Sequence, residues 1–469
     1  MTHLELPQDI GSQDLAEAGN VFGNRSFVLL WTAQLLSQLA SNMVLAALMA
    51  TVFLATGSNS ANAVLILTFL VPAVAFSAVA GVFVERSDAR LIMLGANILR
   101  AIGVVLFIFV GSHVALILII NLFIATVTAF FVPAELTAIP RIVERRHLMA
   151  ANSIFVLTVN ATFAIGFGFL GPSLLIAGGA NVVFVVVAVM FGLAAAAIIP
   201  LSGVPPERAE LPAAGTAVHA LRAVFDQVTE GIQFVRAHRQ IAWSLAYLGI
   251  AASLIGVMGA IGPGFATDIL LLRPQDFFFV MGPAGLGAVI GILFLNAYGR
   301  AIPRRLVIDL GLVAMGVTLI GLALVKPITS LLGPAFQPIQ SGLPDALAPV
   351  VSLIALVVVI ALTAGIEYAF VAIPSQTALQ EELPEGVRGR IFGILNTLLS
   401  VASFLPVLVA PAAADLLNIL FKGAGIPVVM GILGLATLVA GVASWRHNVR
   451  VGLHRTQSPG GGLAGEDAE

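Results

Sequence analysis

The chain has no cysteine, and only 10% of its 469 residues are charged. The lack of cysteine excludes disulfides, thiolate metal sites and cysteine nucleophiles. No HExxH, CxxC or phosphate-binding Gly-Lys-Ser/Thr motif occurs, and all 7 histidines lie in predicted loops or tails or, for His113, at the very start of a predicted span. These absences argue against an ATP-driven pump and leave a polytopic membrane enzyme as a remote alternative. We expect no cofactor, no metal and no nucleic-acid partner.

Apolar residues dominate the chain: 59% of it is hydrophobic and the mean hydropathy is +1.05. Segments of about 20 apolar residues, each long enough to cross a bilayer, recur along nearly the whole length. The sequence therefore predicts an all-α membrane protein with twelve transmembrane helices, numbered here as spans 1 to 12. Their predicted ranges are 27–55, 63–84, 91–111, 113–139, 151–177, 180–201, 241–267, 277–298, 306–326, 350–374, 391–417 and 426–445.

Basic residues indicate the orientation of these spans. With the N-terminus inside, 18 of the 22 Lys and Arg residues fall on the inner side. The outer side has only Arg273, Lys326 and Lys422, and Arg100 lies within span 3. Because short cytoplasmic loops collect basic residues, this asymmetry predicts a multi-pass protein of the cell (plasma) membrane with both termini cytoplasmic.

The two halves of the chain resemble each other. The stretch "PAELTAIPRIVERRHLMAANSI" from Pro133 aligns with "PSQTALQEELPEGVRGRIFGI" from Pro374, and "ARLIMLGANI" from Ala89 aligns with "RRLVIDLGLV" from Arg304. The two offsets differ, which requires an insertion in the second half, and the proline-rich segment 327–349 provides it. The pattern is typical of two six-helix halves in parallel repeat. We predict a cytoplasmic N-terminal segment (1–26), an N-terminal half (27–201), a cytoplasmic linker with an amphipathic helix (202–240), a C-terminal half (241–446) and a disordered cytoplasmic tail (447–469).

Charge is concentrated in "GVFVERSDARLIM", the inner turn between spans 2 and 3. We interpret Gly81, Glu85, Arg86, Asp88 and Arg90 as a cytoplasmic gate. Gly81 would allow neighbouring helices to approach closely, Glu85 would accept hydrogen bonds from a helix end, and the arginines would pair with acids across the inner face. The alternative is that the arginines only anchor the loop inside, which leaves Glu85 and Asp88 unexplained.

This turn resembles the loop signature of the major facilitator superfamily, with Glu85 in place of the usual aspartate, Asp88 where many members have glycine, and Ala89 in place of one base. The stretches "ANILRA", "EGIQFVRAHRQI" and "EGVRGRIFGILNTL" resemble the branch of macrolide-efflux proteins and the enterobactin exporter. The resemblance implies the major facilitator fold and secondary transport. It is specific for fold and transporter class and weak for the substrate.

Five ionisable residues fall inside or near the ends of spans: Arg100, Glu135, Asp309, Glu367 and Asp415. Because a charge at the centre of a membrane helix costs about 2.5–3.5 kcal/mol, each is a functional candidate. Glu367 in span 10 is the leading proton-coupling candidate, with Glu135 and Asp309 behind it, and the alternative is a neutral carboxyl that only packs. For Arg100, a place on the substrate path or in gating competes with a structural pairing.

Span 1 has a polar face in the stretch "WTAQLLSQLASN". Gln34, Gln38 and Ser41 share this face, and Ser37 and Asn42 lie beside it. Polar groups in a membrane must face protein or water. The face either lines the substrate path or bonds to neighbouring helices. Span 1 has no acid, whereas the resemblance implies one in many exporters, so we do not expect proton coupling there.

The sequence thus favours a secondary active transporter that works by alternating access. We expect a proton-coupled exporter of amphipathic small molecules, of the drug or siderophore type, that functions as a monomer in the lipid bilayer. The alternative is a carrier of lysophospholipids or other lipid-like molecules with the same fold.

Overall fold

The computed structural model describes residues 21–202, 229–299, 302–332, 348–381, 388–421 and 423–451, which are helical except for short turns. The helices follow the twelve predicted spans. Their bounds are Arg25–Thr56 (span 1), Asn59–Ala75 with Ser77–Glu85 (span 2), Ala89–Val110 (span 3), Val114–Ile142 (span 4), Leu148–Thr162 (the first part of span 5), Gly171–Ile198 (the end of span 5 and span 6), Arg239–Asp268 (span 7), Phe278–Tyr298 (span 8), Arg304–Ala323 (span 9), Ala348–Glu381 (span 10), Arg388–Leu420 (span 11) and Gly425–Val451 (span 12).

Short elements join or interrupt these helices. A π-helix over Phe163–Leu170 continues span 5 into the next helix, and 3₁₀ turns occupy Arg145–His147 and Pro274–Phe277. A further helix, Val325–Leu331, follows span 9. It begins the predicted insertion 327–349, of which residues 333–347 lie outside the described residues.

Ten helices of the described residues are each long and apolar enough to cross a membrane. Two local breaks account for the difference from twelve spans. Gly179 has φ 77° and ψ 178°, so the long helix that carries spans 5 and 6 turns there. Span 2 is divided at Phe76, four residues after Pro72, which lacks a backbone N–H and leaves a first piece of 17 residues.

Side-chain caps explain where several spans begin. Asn24 accepts hydrogen bonds from the backbone N–H groups of Ser26 and Phe27 at the start of span 1. Ser58 and Asp88 cap spans 2 and 3 in the same way. Each cap satisfies amide groups that the first helical turn leaves without partners.

The chain forms two compact units. The first contains the residues up to Glu230 together with Ala260–Thr267 and Leu272–Gly282, and the second contains Gly231–Gly259, Asp268–Leu271 and the residues from Pro283 onward. The end of span 7 and the start of span 8 therefore pack with spans 1 to 6. Within this first unit, the side-chain amide of Asn62 donates to the Ala260 carbonyl, and Phe169 contacts Phe278. The predicted domain boundaries stay a prediction.

Spans 9 and 12 of the second unit approach each other at glycines. A Cβ added to Gly316 would lie 2.5 Å from the backbone nitrogen of Leu438, and one added to Gly434 would lie 2.9 Å from the Gly316 carbonyl oxygen. Glycine permits this close approach of membrane helices. The contact brings Asp309 of span 9 next to the C-terminal end of span 12.

Two predicted segments have a different extent in the structure. The predicted tail starts at residue 447, but span 12 continues as a helix to Val451. Asn448 donates hydrogen bonds to Asp309 of span 9, and these bonds stabilise the last turns of the helix. Most of the amphipathic helix predicted in the linker lies outside the described residues. Its last part, 229–237, is helical, and Phe234 and Val235 pack against a core that includes Ile394 and Leu395 of span 11.

Candidate functional site

A buried arginine lies at the centre of a polar network in the first unit. Arg100 is only 1% exposed, and its Nη1 donates to Ser37 Oγ at 2.7 Å and to Asn97 Oδ1 at 3.5 Å. Ser37 in turn donates to Asn97 at 3.1 Å. The guanidinium carbon lies 4.3 Å from the ring centre of Phe131 and 5.6 Å from that of Phe191, within the range of cation–π attraction.

Glu135 of span 4 faces the same network. It is 4% exposed and interacts electrostatically with Arg100. Nevertheless, Oε1 of Glu135 and both Nε and Nη2 of Arg100 lack hydrogen-bond partners among the described residues. The structure thus joins two predicted site residues, Arg100 and Glu135, in one buried and incompletely bonded pair, an arrangement whose energy depends strongly on the protonation of the carboxyl.

The predicted polar face of span 1 is mostly buried against protein. Gln34 and Asn42 are buried, Gln38 and Ser41 are partly buried, and Ser41 donates to the Ser37 carbonyl. Asn42 lies against the π-helix of span 5, since a Cβ added to Gly166 would be 2.9 Å from its Cβ. The side-chain nitrogen of Asn42 has no hydrogen-bond partner in the described part of the chain. π-helices often occur at functional sites, and an unpaired buried amide beside one is a candidate ligand contact.

The charged turn between spans 2 and 3 has a local structural role that its sequence did not reveal. Asp88 accepts a hydrogen bond from the backbone N–H of Arg90 and caps span 3. The side chain of Arg90 donates to the carbonyl groups of Ile198 and Ile199 at the end of span 6. A cation at this position suits the negative end of a helix. Arg86 is exposed, and the side chain of Glu85 lies outside the described residues.

Close packing does not explain Gly81. Among the described residues, a Cβ added there would meet no atom within 4 Å. The expectation that this glycine admits a neighbouring helix, and its place in the cytoplasmic gate, stay predictions.

Glu367 lies in the interior of the long span 10 and is partly buried. Its Oε1 accepts a hydrogen bond of 2.8 Å from the Thr318 hydroxyl of span 9. Its Oε2 is buried and has no hydrogen-bond partner within the described ranges. A hydroxyl can donate to a carboxylate and accept from a carboxylic acid, so Thr318 is suited to both protonation states.

Asp309 has a more completely bonded environment. It is fully buried and accepts hydrogen bonds from the Ser444 hydroxyl and from the Asn448 amide, which lies 2.9 Å from Oδ2 and 3.1 Å from Oδ1. Tyr247 of span 7 extends the cluster through a 2.7 Å hydrogen bond to Ser444. These bonds join spans 7, 9 and 12. They favour a structural role for Asp309 over proton transfer, which stays a prediction.

Removal of one donor tests the structural role. We expect Asn448→Ala to lower the free energy of unfolding by about 1–3 kcal/mol, because a buried carboxyl then loses a partner. The measurement is the thermal unfolding of the purified protein in detergent, with Asn296→Ala, a change at an exposed asparagine of span 8, as the control. Equal unfolding temperatures for the two variants would contradict the role.

Sequence reasoning missed the partners of the charged residues. Asn97 precedes Arg100 by three residues and therefore shares its helix face, a spacing that could have been read from the sequence. Ser37 and Thr318 lie on other spans than the residues they bind, so no spacing within one helix could have indicated them.

Comparison with known proteins decides the family. The family model of the Major Facilitator Superfamily matches residues 30–407, which is most of the chain. The chain belongs to the major facilitator superfamily. It is thus a multi-pass secondary transporter and not an enzyme, and members of this superfamily carry small-molecule substrates.

Two similar proteins share less than a quarter of their aligned residues with this chain. It is 23% identical to the multidrug efflux pump Tap of Mycolicibacterium fortuitum over 387 residues, covering 80% of this chain and 83% of that protein. It is 24% identical to the uncharacterized MFS-type transporter YfiS of Bacillus subtilis (strain 168) over 422 residues, covering 88% and 93%. Neither match identifies the branch that the sequence resembles.

Solved structures of the superfamily confirm the predicted fold. The nucleoside transporter NupG is similar with a TM-score of 0.63 at 13% identity, covering 90% of this chain and 98% of that one. A POT family transporter in complex with 5-aminolevulinic acid gives a TM-score of 0.65 at 12% identity, covering 91% and 97%. At these identities the likeness concerns the fold alone.

Proposed function

We propose that this transporter is a proton-coupled exporter of amphipathic small molecules that works by alternating access. The observation that carries the proposal is Glu367, a carboxyl inside span 10 whose Oε2 is buried without a hydrogen-bond partner in the described residues. An ionised carboxylate is costly in such a place, and a proton removes the charge. A group of this kind can take up a proton when its surroundings are dry and release it when water enters.

Export of drug-like molecules is supported by the distant similarity to a multidrug efflux pump. The direction of transport, the proton and the substrate class are all parts of the proposal. Arg100 and Glu135 form a second place where protonation could change the electrostatics of the bundle. The substrate-path role of Gln34, Gln38, Ser41 and Asn42 is also part of the proposal.

Dye accumulation in inside-out membrane vesicles tests this function. Vesicles from a host without its own pumps should accumulate amphipathic dyes when their interior is acidified, and a panel of drugs and siderophores should compete. An ionophore that removes the pH gradient should abolish the accumulation. Accumulation that survives the ionophore would contradict proton coupling, and no accumulation of any panel member at normal protein levels would contradict export.

The inner turn is proposed to act as a gate in this cycle. Arg90 holds the start of span 3 against the end of span 6 through two backbone carbonyls. We expect Arg90→Gln, and likewise Glu85→Gln, to reduce the maximal export rate about tenfold while the concentration for half-maximal rate changes little, because the gate lies away from bound substrate.

The control for this prediction is Arg450→Gln, which removes an exposed arginine of span 12. All variants are compared at equal protein levels. Unchanged export rates in both gate variants would show that the charged turn only caps and anchors helices.

A further inference from the structure

A large apolar groove lies among spans 7, 11 and 12, entirely within the second compact unit. Its volume is ≈ 630 Å³, within the range of about 300–1,000 Å³ found for small-molecule sites. None of the described residues that line it is charged. Side chains that line a space of this size gain van der Waals contacts when a molecule fills it, so the groove is suited to binding a ligand.

Small residues create this groove. On span 7, Ala242, Ala246, Gly249 and Ser253 follow one another at spacings of four, three and four, which places them on one helix face. Ala402 of span 11 and Ala436 of span 12 line the other walls, and both are exposed to the open space, as is Ala246.

The groove extends along the full hydrocarbon thickness of one membrane leaflet. It follows span 7 from Ala242 to Val257, a distance of about 22 Å at 1.5 Å per residue. One leaflet contributes half of a hydrocarbon core of about 30 Å. The groove can therefore accept the whole length of one hydrocarbon chain, whereas a compact drug would leave part of it empty.

The walls offer an occupant little hydrogen bonding. The hydroxyl of Thr437 donates to the Leu433 carbonyl of its own helix. Among the described lining residues, Ser253 supplies the other hydroxyl, and the remaining side chains are apolar. Such walls select for a hydrocarbon and give no fixed partner to a polar group.

In the predicted first repeat, spans 1, 5 and 6 correspond to spans 7, 11 and 12, and aromatic side chains pack near the start of spans 1 and 5. Between spans 1 and 5, the rings of Phe27 and Phe155 lie 5.9 Å apart, and Trp31 donates a 2.8 Å hydrogen bond to Thr158. The six-helix repeat can thus fold with this region packed. Under the predicted repeat, the open groove of the second unit therefore differs from its counterpart in the first unit.

A positively charged side chain, Arg239, lies at one end of the groove. Arg239 begins span 7, precedes Ala242 by three residues and so shares the face that lines the groove. It is exposed, and in the described part of the chain no acid pairs with it. An anionic headgroup placed there would gain a charged partner while its chain extends along the apolar walls.

We propose that the groove binds the chain of a single-chain amphiphile with an anionic headgroup at Arg239, and that this amphiphile is a transported substrate. This proposal rests on the proposed exporter function and names a substrate class for it.

Photolabelling tests the binding site in the full-length protein in nanodiscs. The probe is lysophosphatidylglycerol with a diazirine in its chain, and cross-linked peptides are identified by mass spectrometry. Labels should fall on spans 7, 11 and 12 beside the groove. Unlabelled lysophosphatidylglycerol should compete better than lysophosphatidylcholine with the same chain, because only the former has a net negative headgroup.

Two matched pairs of variants define the contacts. Ala402→Leu inserts a larger side chain into the groove and should reduce labelling about tenfold, whereas Ala412→Leu, at an exposed alanine of the same helix outside the groove, should not. Arg239→Gln should reduce labelling by the anionic probe about three- to fivefold and leave a lysophosphatidylcholine probe unaffected. Arg236→Gln removes a nearby exposed charge that precedes span 7 and should have no effect.

Translocation distinguishes a substrate from a resident lipid. Proteoliposomes that contain the probe should expose it to albumin extraction faster than liposomes without protein, and Ala402→Leu should remove the difference. Labelling of the groove without translocation would overturn the substrate role and identify a bound membrane lipid. Labelling that is absent from the groove, or equal in Ala402→Leu and Ala412→Leu, would overturn the site.

These results separate the two proposals. Proton-driven dye export without labelling of the groove would remove only the amphiphile proposal. Labelling and translocation that do not respond to a pH gradient would support the groove and contradict the proton coupling.

Discussion

Replacement of Arg100 by leucine is expected to destabilise the first unit by roughly 3–5 kcal/mol, the cost of removing one partner from a buried charged pair. Arg100 is among the largest fully buried side chains, and the change removes its hydrogen bonds to Ser37 and Asn97 and its contact with the Phe131 ring. It also leaves the buried Glu135 without its electrostatic partner. The measurement is the unfolding temperature of the purified protein in detergent.

A second change in the same pair separates the contribution of charge to stability from the contribution of packing. If the unpaired Glu135 causes much of the loss, Arg100→Leu combined with Glu135→Gln should be more stable than Arg100→Leu alone. Arg100→Lys retains the charge but lacks the planar group that spans Ser37 and Phe131, so its stability should be intermediate.

The outcome also decides between two interpretations of Arg100. A structural pairing predicts that the double variant folds and exports substrate. A role on the substrate path predicts that the double variant folds but does not export. An unfolding temperature of Arg100→Leu equal to that of the unchanged protein would contradict the buried network itself.

Much of the fold was predictable because hydrophobicity and membrane thickness determine it. Apolar segments of sufficient length gave the twelve spans, and the penalty for charge in a membrane selected Arg100, Glu135, Asp309 and Glu367 as residues of interest. The structure places each of them inside a helix and buries three almost completely. These arguments concern one helix and its solvent, and they need no knowledge of how helices pack.

The features that were not predictable depend on contacts between helices. The bonds of Asp309 to Ser444 and Asn448 join residues more than 130 positions apart, and a single sequence does not reveal them. The extension of span 12 to Val451 follows from these bonds. The groove between spans 7, 11 and 12 was not predictable either. Alanine and glycine on a helix face occur both where helices pack tightly and where a space remains between them.

Glu367→Gln is expected to abolish uphill export while substrate binding persists. Glutamine resembles the protonated form of the side chain and cannot exchange a proton, so the variant should be unable to use a pH gradient. Thr318 can still hydrogen bond to the amide oxygen, so we expect normal folding. The accumulation of dye in acidified inside-out vesicles should fall to the level of vesicles without the transporter.

Exchange of substrate provides the decisive comparison. Preloaded vesicles that contain Glu367→Gln should still exchange labelled for unlabelled substrate, because movement down a substrate gradient needs no proton. Glu144→Gln, a change at an exposed acid paired with Arg146, should export normally. If Glu367→Gln retained full proton-driven export, the buried Oε2 of Glu367 would be a packing feature. The proton site would then have to be sought first at Glu135, whose carboxyl also has an oxygen without a hydrogen-bond partner among the described residues, and only then at the more completely bonded Asp309.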